Sequence, residues 1–291
     1  MKNILLFLFV FVSIPAIAQD ETYGTDTKQD TLFYFGENSR LLIFPFEPKL
    51  YMSDIDREIG ENNGLNFQEI RGYFRLGLDN ALFHEAKTNY DVIRMHADEA
   101  DVNKDLQYVY KSTGYQYREV PKEEEEEQKK VIKAYNKVVQ RVAKETAKLK
   151  GEQLNPKTGT WVEEGQVLNN PNGNEKFMAK TIINTNVFNY CVEKYQAGLF
   201  LFINQLDIKH APGVEWQQYG SDDYPRQIKV HYSVFNKEGQ EVFAGIAVSY
   251  FSSQTNSIKK IIVDHVTEVA KEVMKKVPVL VVQETEELLK D

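Results

Sequence analysis

The densest group of side chains able to do chemistry is Ser53-Asp54-Ile55-Asp56-Arg57-Glu58, just downstream of an apolar run. Two aspartates beside an arginine could act as an acid–base pair on a glycosidic bond. That chemistry needs two carboxyl groups about 5–10 Å apart, one of them held protonated. The same residues read more simply as a helix start, with Ser53 or Asp54 accepting amide hydrogens and Asp56, Arg57 and Glu58 pairing locally. Asp222-Asp223 offers two acids to calcium without the alternating ligand ladder such a loop requires. Trp161, Trp216 and Tyr219 fall in loop-like sequence, where exposed aromatics mark a protein or glycan surface, or else cap a sheet edge.

Little else points to catalysis. The five histidines are scattered, and no GxGxxG, P-loop, HExxH, GxSxG or SxxK pattern occurs. His84 falls at a helix end, His231 on the polar side of a strand and His265 in a terminal helix. Asp264-His265 has only Glu268 nearby at helical spacing, too few ligands for zinc. Cys191 lies among Phe188, Val192 and Tyr195 and reads as a small buried hydrophobe. We therefore expect no catalytic residues, no metal and no cofactor.

The elements around these residues follow from periodicity. Arg40 to Phe46 is a short apolar strand, and Phe67, Ile70, Phe74, Leu78 and Leu82 make one stripe of a helix over 67–85. Tyr90 to Met95 is a second strand, and Leu106, Val109 and Tyr110 mark a short helix. Pro121 to Lys150 has Pro and five glutamates at its start, bases later and Gly151 at its end, which predicts a half-solvated helix. Residues 151–176 carry Asn-Pro, Thr-Gly and Asn-Gly turn signals, with a small hairpin edge at Trp161-Val162. A helix over 184–197 and a strand over 199–208 follow. Arg226 to Phe235 and Glu241 to Phe251 alternate as two strands around Asn236-Lys237-Glu238-Gly239, with Gly239 suited to the left-handed turn position. Ile258, Ile262, Val266, Val269 and Val273 give a last helix over 257–277, stopped by Pro278.

The order predicts an α+β fold. A mixed sheet with a C-terminal antiparallel meander is covered by helices on one face, and a charged helix is inserted. Residues 31–120 form the first half of the domain, 121–176 the helical and loop insertion, and 177–291 the second half. Before them, 19–30 is a polar lead-in and 1–18 an export leader. In that leader Lys2 precedes an apolar run from Ile4 to Ile14, Pro15 breaks it, and Ala16-Ile17-Ala18 presents a cleavage site. The run is shorter than the roughly 20 apolar residues of a membrane span. Without Cys at the new N-terminus, no lipid anchor is expected, and the mature chain should be periplasmic or secreted with no transmembrane segment. Loss of Lys2 leaves 34 basic against 43 acidic residues. That acidity argues against nucleic acid and anionic lipid as partners.

Several of these segments carry a resemblance. A strand ending in Pro-Phe (Leu41 to Phe46) and a helix ending in Gly-Leu-x-x-Ala-Leu (Gly77 to Leu82) are its first two parts. A strand with an Asn/Asp break (Tyr90 to Met95) and an Ala-Gly-x-x-x-x-Ile strand (Ala197 to Ile203) complete it. Together they resemble the envelope α/β domain of the TolB N-terminal part, the CsgG curli-secretion lipoprotein and the lipoprotein activators of penicillin-binding proteins. The resemblance spans 31–96 and 184–277, and the leader ending in Ala-Gln resembles those of exported Bacteroidota proteins. It implies a non-catalytic domain that docks envelope proteins. The chain departs from the group in the 121–176 insertion and in lacking a lipobox cysteine, a TolB propeller and a CsgG membrane hairpin. The expected function is a periplasmic accessory or scaffold protein binding another envelope protein, such as a member of an outer-membrane or cell-wall assembly. The alternatives are a cell-wall or carbohydrate hydrolase using the loop acids, and a small-ligand binder with an apolar pocket under 151–176.

Overall fold

The computed structural model describes residues 33–34, 40–95, 100–120, 159–163, 166–170, 176–211, 223–278 and 280–281. Its centre is a mixed sheet. Strand β2 (Arg40–Phe44) lies between β4 (Asp91–Arg94) and β9 (Ala197–His210) and runs parallel to both. Strand β3 (Tyr51–Ser53) continues along β9, also parallel. The antiparallel meander of β9, β10 (Pro225–Asn236) and β11 (Glu241–Ser252) completes the sheet. Short β1 (Phe33–Tyr34) pairs in parallel with β12 (Leu280–Val281). The α+β class is as the sequence implies.

Strand pleating sends alternate residues to opposite faces, and β2 divides its side chains accordingly. Leu41 and Ile43 join a core under α1 (Asp56–Asn63) and α2 (Phe67–Ala86). The C-terminal helical segment covers the same face, as α5 (Ile258–Ile261), a π-helical turn (Ile262–Val266) and α6 (Thr267–Lys276). Leu42 and Phe44 point the other way, toward α3 (Ala100–Ser112) and α4 (Asn186–Tyr195).

In β9, Leu199, Leu201 and Ile203 face the α2 side, but so do Leu206 and Ile208. The phase changes because Tyr232 pairs with Ile203 while His231 pairs with Gln205, leaving Asn204 as the extra residue of a bulge. The bulge turns the polar Asn204 side chain inward and keeps both apolar sets on one side.

The meander's second face is covered as well. Strands β5 (Thr113–Glu119) and β8 (Lys176–Ile182) form an antiparallel ribbon that lies over β9, β10 and β11. Its apolar contact is small: Val120, Phe177 and Ala179 against Ile246, flanked by Ala244 and Val248. Between these strands, β6 (Gly159–Glu163) and β7 (Gln166–Asn170) pair as a hairpin with Trp161 opposite Leu168, as the turn signals imply. The expected helix over 121–150 lies outside the described residues.

Within Ser53 to Glu58, α1 begins at Asp56, a helix start as the sequence implies. Other expectations need correction. Phe67 is not in the buried stripe of α2. It is the first helical residue after the Asn66 cap, where the Asn66 side chain accepts from Gln68 and Glu69 amides, and its ring is 52% exposed. The last helix is not regular throughout. A π turn, in which the Thr267 amide reaches the Ile262 carbonyl, spaces buried Ile261 and Val266 five residues apart and returns both to the core. His231 is buried rather than on a solvated face, because the ribbon covers it. Gly239 takes the left-handed turn conformation (φ +76°), and a side chain there would also strike the Phe188 ring.

Candidate functional site

The Ser53 to Glu58 group sits where parallel β3 ends beside β9, the end of a sheet at which ligands commonly bind in α/β folds. The Asp54 amide donates to the Ile208 carbonyl at 3.0 Å, fixing the turn. Ser53 Oγ accepts from the Ile55 amide at 3.3 Å, a local turn bond rather than the expected helix cap, because Ile55 itself is the N-cap of α1 and among the described residues no side chain caps that helix. The Tyr51 hydroxyl donates to Asp56 Oδ1 at 2.6 Å. Burial, reinforced by that carboxylate, raises the Tyr51 hydroxyl far above the usual phenol range. Arg57 pairs with Glu61 at 3.3 Å across one helical turn, an exposed pair worth only about 0.3–0.5 kcal/mol.

Asp56 Oδ2 and Glu58 Oε2 are buried atoms without a hydrogen-bond partner. An open depression of about 540 Å³ is lined by Asp56, Arg57, Gly60, Glu61, Leu65 and Phe67. Charged walls around an exposed aromatic floor suit contact with another molecule. Asp54 and Asp56 are not brought together as an acid–base pair: Asp54 points to solvent, and Asp56 is held by Tyr51.

Asn63 ties this corner to the C-terminal helical segment, since its Nδ2 donates to the Asn256 carbonyl and its Oδ1 accepts from the Ile258 amide. Behind it, buried Arg226 donates to Asn256 Oδ1 at 2.7 Å. Opposite Arg226 in register is His210, whose burial lowers its pKa, with Asp54 and Glu58 pulling upward and Arg226 downward.

The remaining sequence candidates do not join this group. Trp161 is in β6, paired across the hairpin with Leu168. Trp216, Tyr219 and Asp222 lie outside the described residues. Asp223 Oδ1 accepts from the Ser252 and Ser253 hydroxyls at 2.6 and 3.2 Å, clamping the end of β11. Cys191 is buried, and burial pushes its thiol up to about 12, which makes it inert as a nucleophile. Ser249, His265 and Glu268 do cluster: Ser249 Oγ lies 3.1 Å from His265 Nδ1 and donates to Glu268. Serine and glutamate both approach the Nδ1 side, so the imidazole does not relay between them as a catalytic triad requires. Among the described residues, no group of three or more His, Cys, Asp or Glu converges as metal ligands.

Two buried polar clusters escaped the sequence reading. Between α3 and α4, Asp105 accepts from Lys194, Tyr190 and Tyr195. Burial raises the Asp105 carboxyl, but those donated bonds outweigh it and leave the pKa below the ordinary value. A carboxyl lowered on folding stabilises above its unfolded pKa, and that contribution is lost as pH falls through the folded value. Urea melts should thus find Asp105→Asn less stable than the parent at pH 7, with the gap closing toward pH 3.

The second cluster surrounds Lys180 on β8, whose amine donates to the Tyr115 hydroxyl at 2.9 Å. Tyr115 donates onward to Glu47 Oε1 at 2.8 Å, and Lys49 pairs with Glu47 Oε2 at 2.7 Å. Nothing local marks this cluster in the sequence, since Glu47, Tyr110, Tyr115 and Lys180 come together only through the fold. Among the described residues no helix is long and apolar enough to cross a membrane. Set against protein-family models, curated proteins and solved structures, the chain matches none of them.

Proposed function

We propose that this chain is an exported, non-catalytic accessory or scaffold protein of the cell envelope that docks another envelope protein through the outer side of α2 and the adjoining π turn. The observation that carries the reading is an apolar ridge. Tyr73 and Leu76 share one side of α2 and are 50% and 44% exposed. Ile262 of the π turn lies against Gly77, where a Cβ would approach to 2.9 Å, and the next residue, Val263, is exposed. Exposed large apolar side chains grouped on one side of a helix are characteristic of protein contact surfaces.

Export is supported by the leader-like first 18 residues, and a protein partner rather than nucleic acid by the acidic charge of −8. A carbohydrate hydrolase would need Asp54 or Asp56 facing a second carboxyl across a cleft, whereas Asp56 is engaged by Tyr51. The test is affinity capture from solubilised envelopes with the parent protein and with Tyr73→Glu/Leu76→Glu. The same prey should fall at least tenfold with the variant while its Tm is unchanged. Equal recovery by both proteins removes this face from the account.

A further inference from the structure

The ribbon β5–β8 is fastened to the sheet in an unusual way. Along β8 the Met178 amide donates to His231 Nδ1 and the Lys180 amide to Ser233 Oγ, both at 3.0 Å. Asn204 Nδ2 donates to the Met178 carbonyl and to Ser233 Oγ. Side chains of the meander thus hold the backbone of the ribbon, and the apolar contact beneath it is small. Such a layer can separate without opening the main core.

Lys180 is the chemical anomaly within this layer. It is 2% exposed, and its amine faces the rings of Tyr115, Phe202 and Tyr110 at 4.1, 5.3 and 5.7 Å. Among the described residues no carboxylate pairs with it directly. Glu47 is reached only through the Tyr115 hydroxyl, and Glu47 already carries Lys49. The other groups nearby are Arg75, which donates to the Phe46 carbonyl and acts on Tyr110, and Asp207 with Gln205 and Lys209 at the His231 end.

We propose that the β5–β8 ribbon is an acid-loosened cover, held closed by Lys180 in its uncharged form. A buried ammonium loses hydration, and the ring faces return only part of it. When the ribbon lifts, the amine reaches water and takes up its proton freely.

The direction follows from proton linkage. Burial lowers the Lys180 amine to about 7, with Glu47 opposing and Lys49 adding to the shift, against roughly 10.4 in an open chain. Between those values the open form binds more protons than the closed one. Closure therefore strengthens as pH rises through this window, and opening gains up to about tenfold per pH unit as pH falls toward 7. Below 7 both forms are charged and the dependence levels off. The device is independent of the docking face on α2.

Hydrogen exchange at the Met178 and Lys180 amides, corrected for intrinsic rates, tests this in the full chain. Protection should fall about ninefold from pH 9 to 8 and about fivefold from 8 to 7. Lys180→Met should abolish the slope while protection of Leu199 and Leu201 in β9 stays unchanged. A parent protein with flat protection, or a methionine variant with the parent's slope, overturns the proposal. Should that variant not fold, titration of the ¹⁵N-labelled Lys180 amine decides alone: a midpoint near 7 supports the latch, and one near 10 refutes it.

Discussion

Phe44→Ala is expected to cost about 3–5 kcal/mol, enough to leave much of the protein unfolded at 37 °C. Phe44 is buried at the end of the central strand and stacks on Phe202 at 4.5 Å and on Phe200 at 6.5 Å between ring centres. Phe202 meets Phe235 edge to face, and Phe188 closes the group from α4. The surrounding strands are fixed by their ladders and cannot collapse into the space a lost ring leaves. Chemical denaturation checks this. Phe44→Leu should lose less than half as much, because most of the volume remains.

Asn204→Val should have the second largest effect, about 1–3 kcal/mol, although the side chain is similar in size. Asn204 is fully buried and its amide satisfies both the Met178 carbonyl and Ser233 Oγ. Valine takes the side-chain donor from the buried Met178 carbonyl, at roughly 1–3 kcal/mol for a stranded group, whereas Ser233 Oγ keeps the Lys180 amide. The loss should divide unevenly. Exchange in β5 and β8 should accelerate far more than exchange in β2, because the bulge fastens the ribbon, whereas β2 is held by its own neighbours. Uniform acceleration through the sheet would show that Asn204 supports the whole core instead.

These two positions also show what periodicity conveys and where it stops. The run Arg40 to Phe46 announced a strand buried on both sides, and each alternate residue found its face. The hairpin around Gly239 was equally plain, because turn chemistry and strand alternation agree there. Asn204 was harder to read: in LFLFINQLDI the single polar pair looks like a flaw in a strand, and only pairing with β10 shows that it is a bulge. The π turn has the same origin, since one added residue between Ile261 and Val266 hides inside a pattern close to helical spacing.

The β5–β8 ribbon was missed for a different reason. Its strands are separated by residues 120–175, and β8 contains two lysines, so no local signal joins them. Burial of Lys229, His231 and Ser233 followed from that omission, because their alternation with Ile228, Val230 and Tyr232 reads as one wet face and one dry face. At the candidate site, Ser53, Asp54, Asp56 and Arg57 were found as a group, but Ser53 closes a turn onto Ile55 instead of capping α1. The depression beside them was not legible, because it depends on Leu65 and Phe67, whose aromatic ring a simple stripe assigns to the interior.

A docking protein places its recognition on a surface that folding leaves apolar, and the ridge on α2 fits that requirement. The most direct measurement replaces Tyr73 or Leu76, one at a time, with a photoreactive amino acid in the full-length protein and irradiates intact cells. A control probe at Lys111 on α3 sits on the opposite side of the sheet. The account predicts one discrete adduct of constant size from both α2 positions, recovered from the envelope fraction, and none from Lys111. Only monomer at positions 73 and 76, or the same adducts from all three positions, would contradict it.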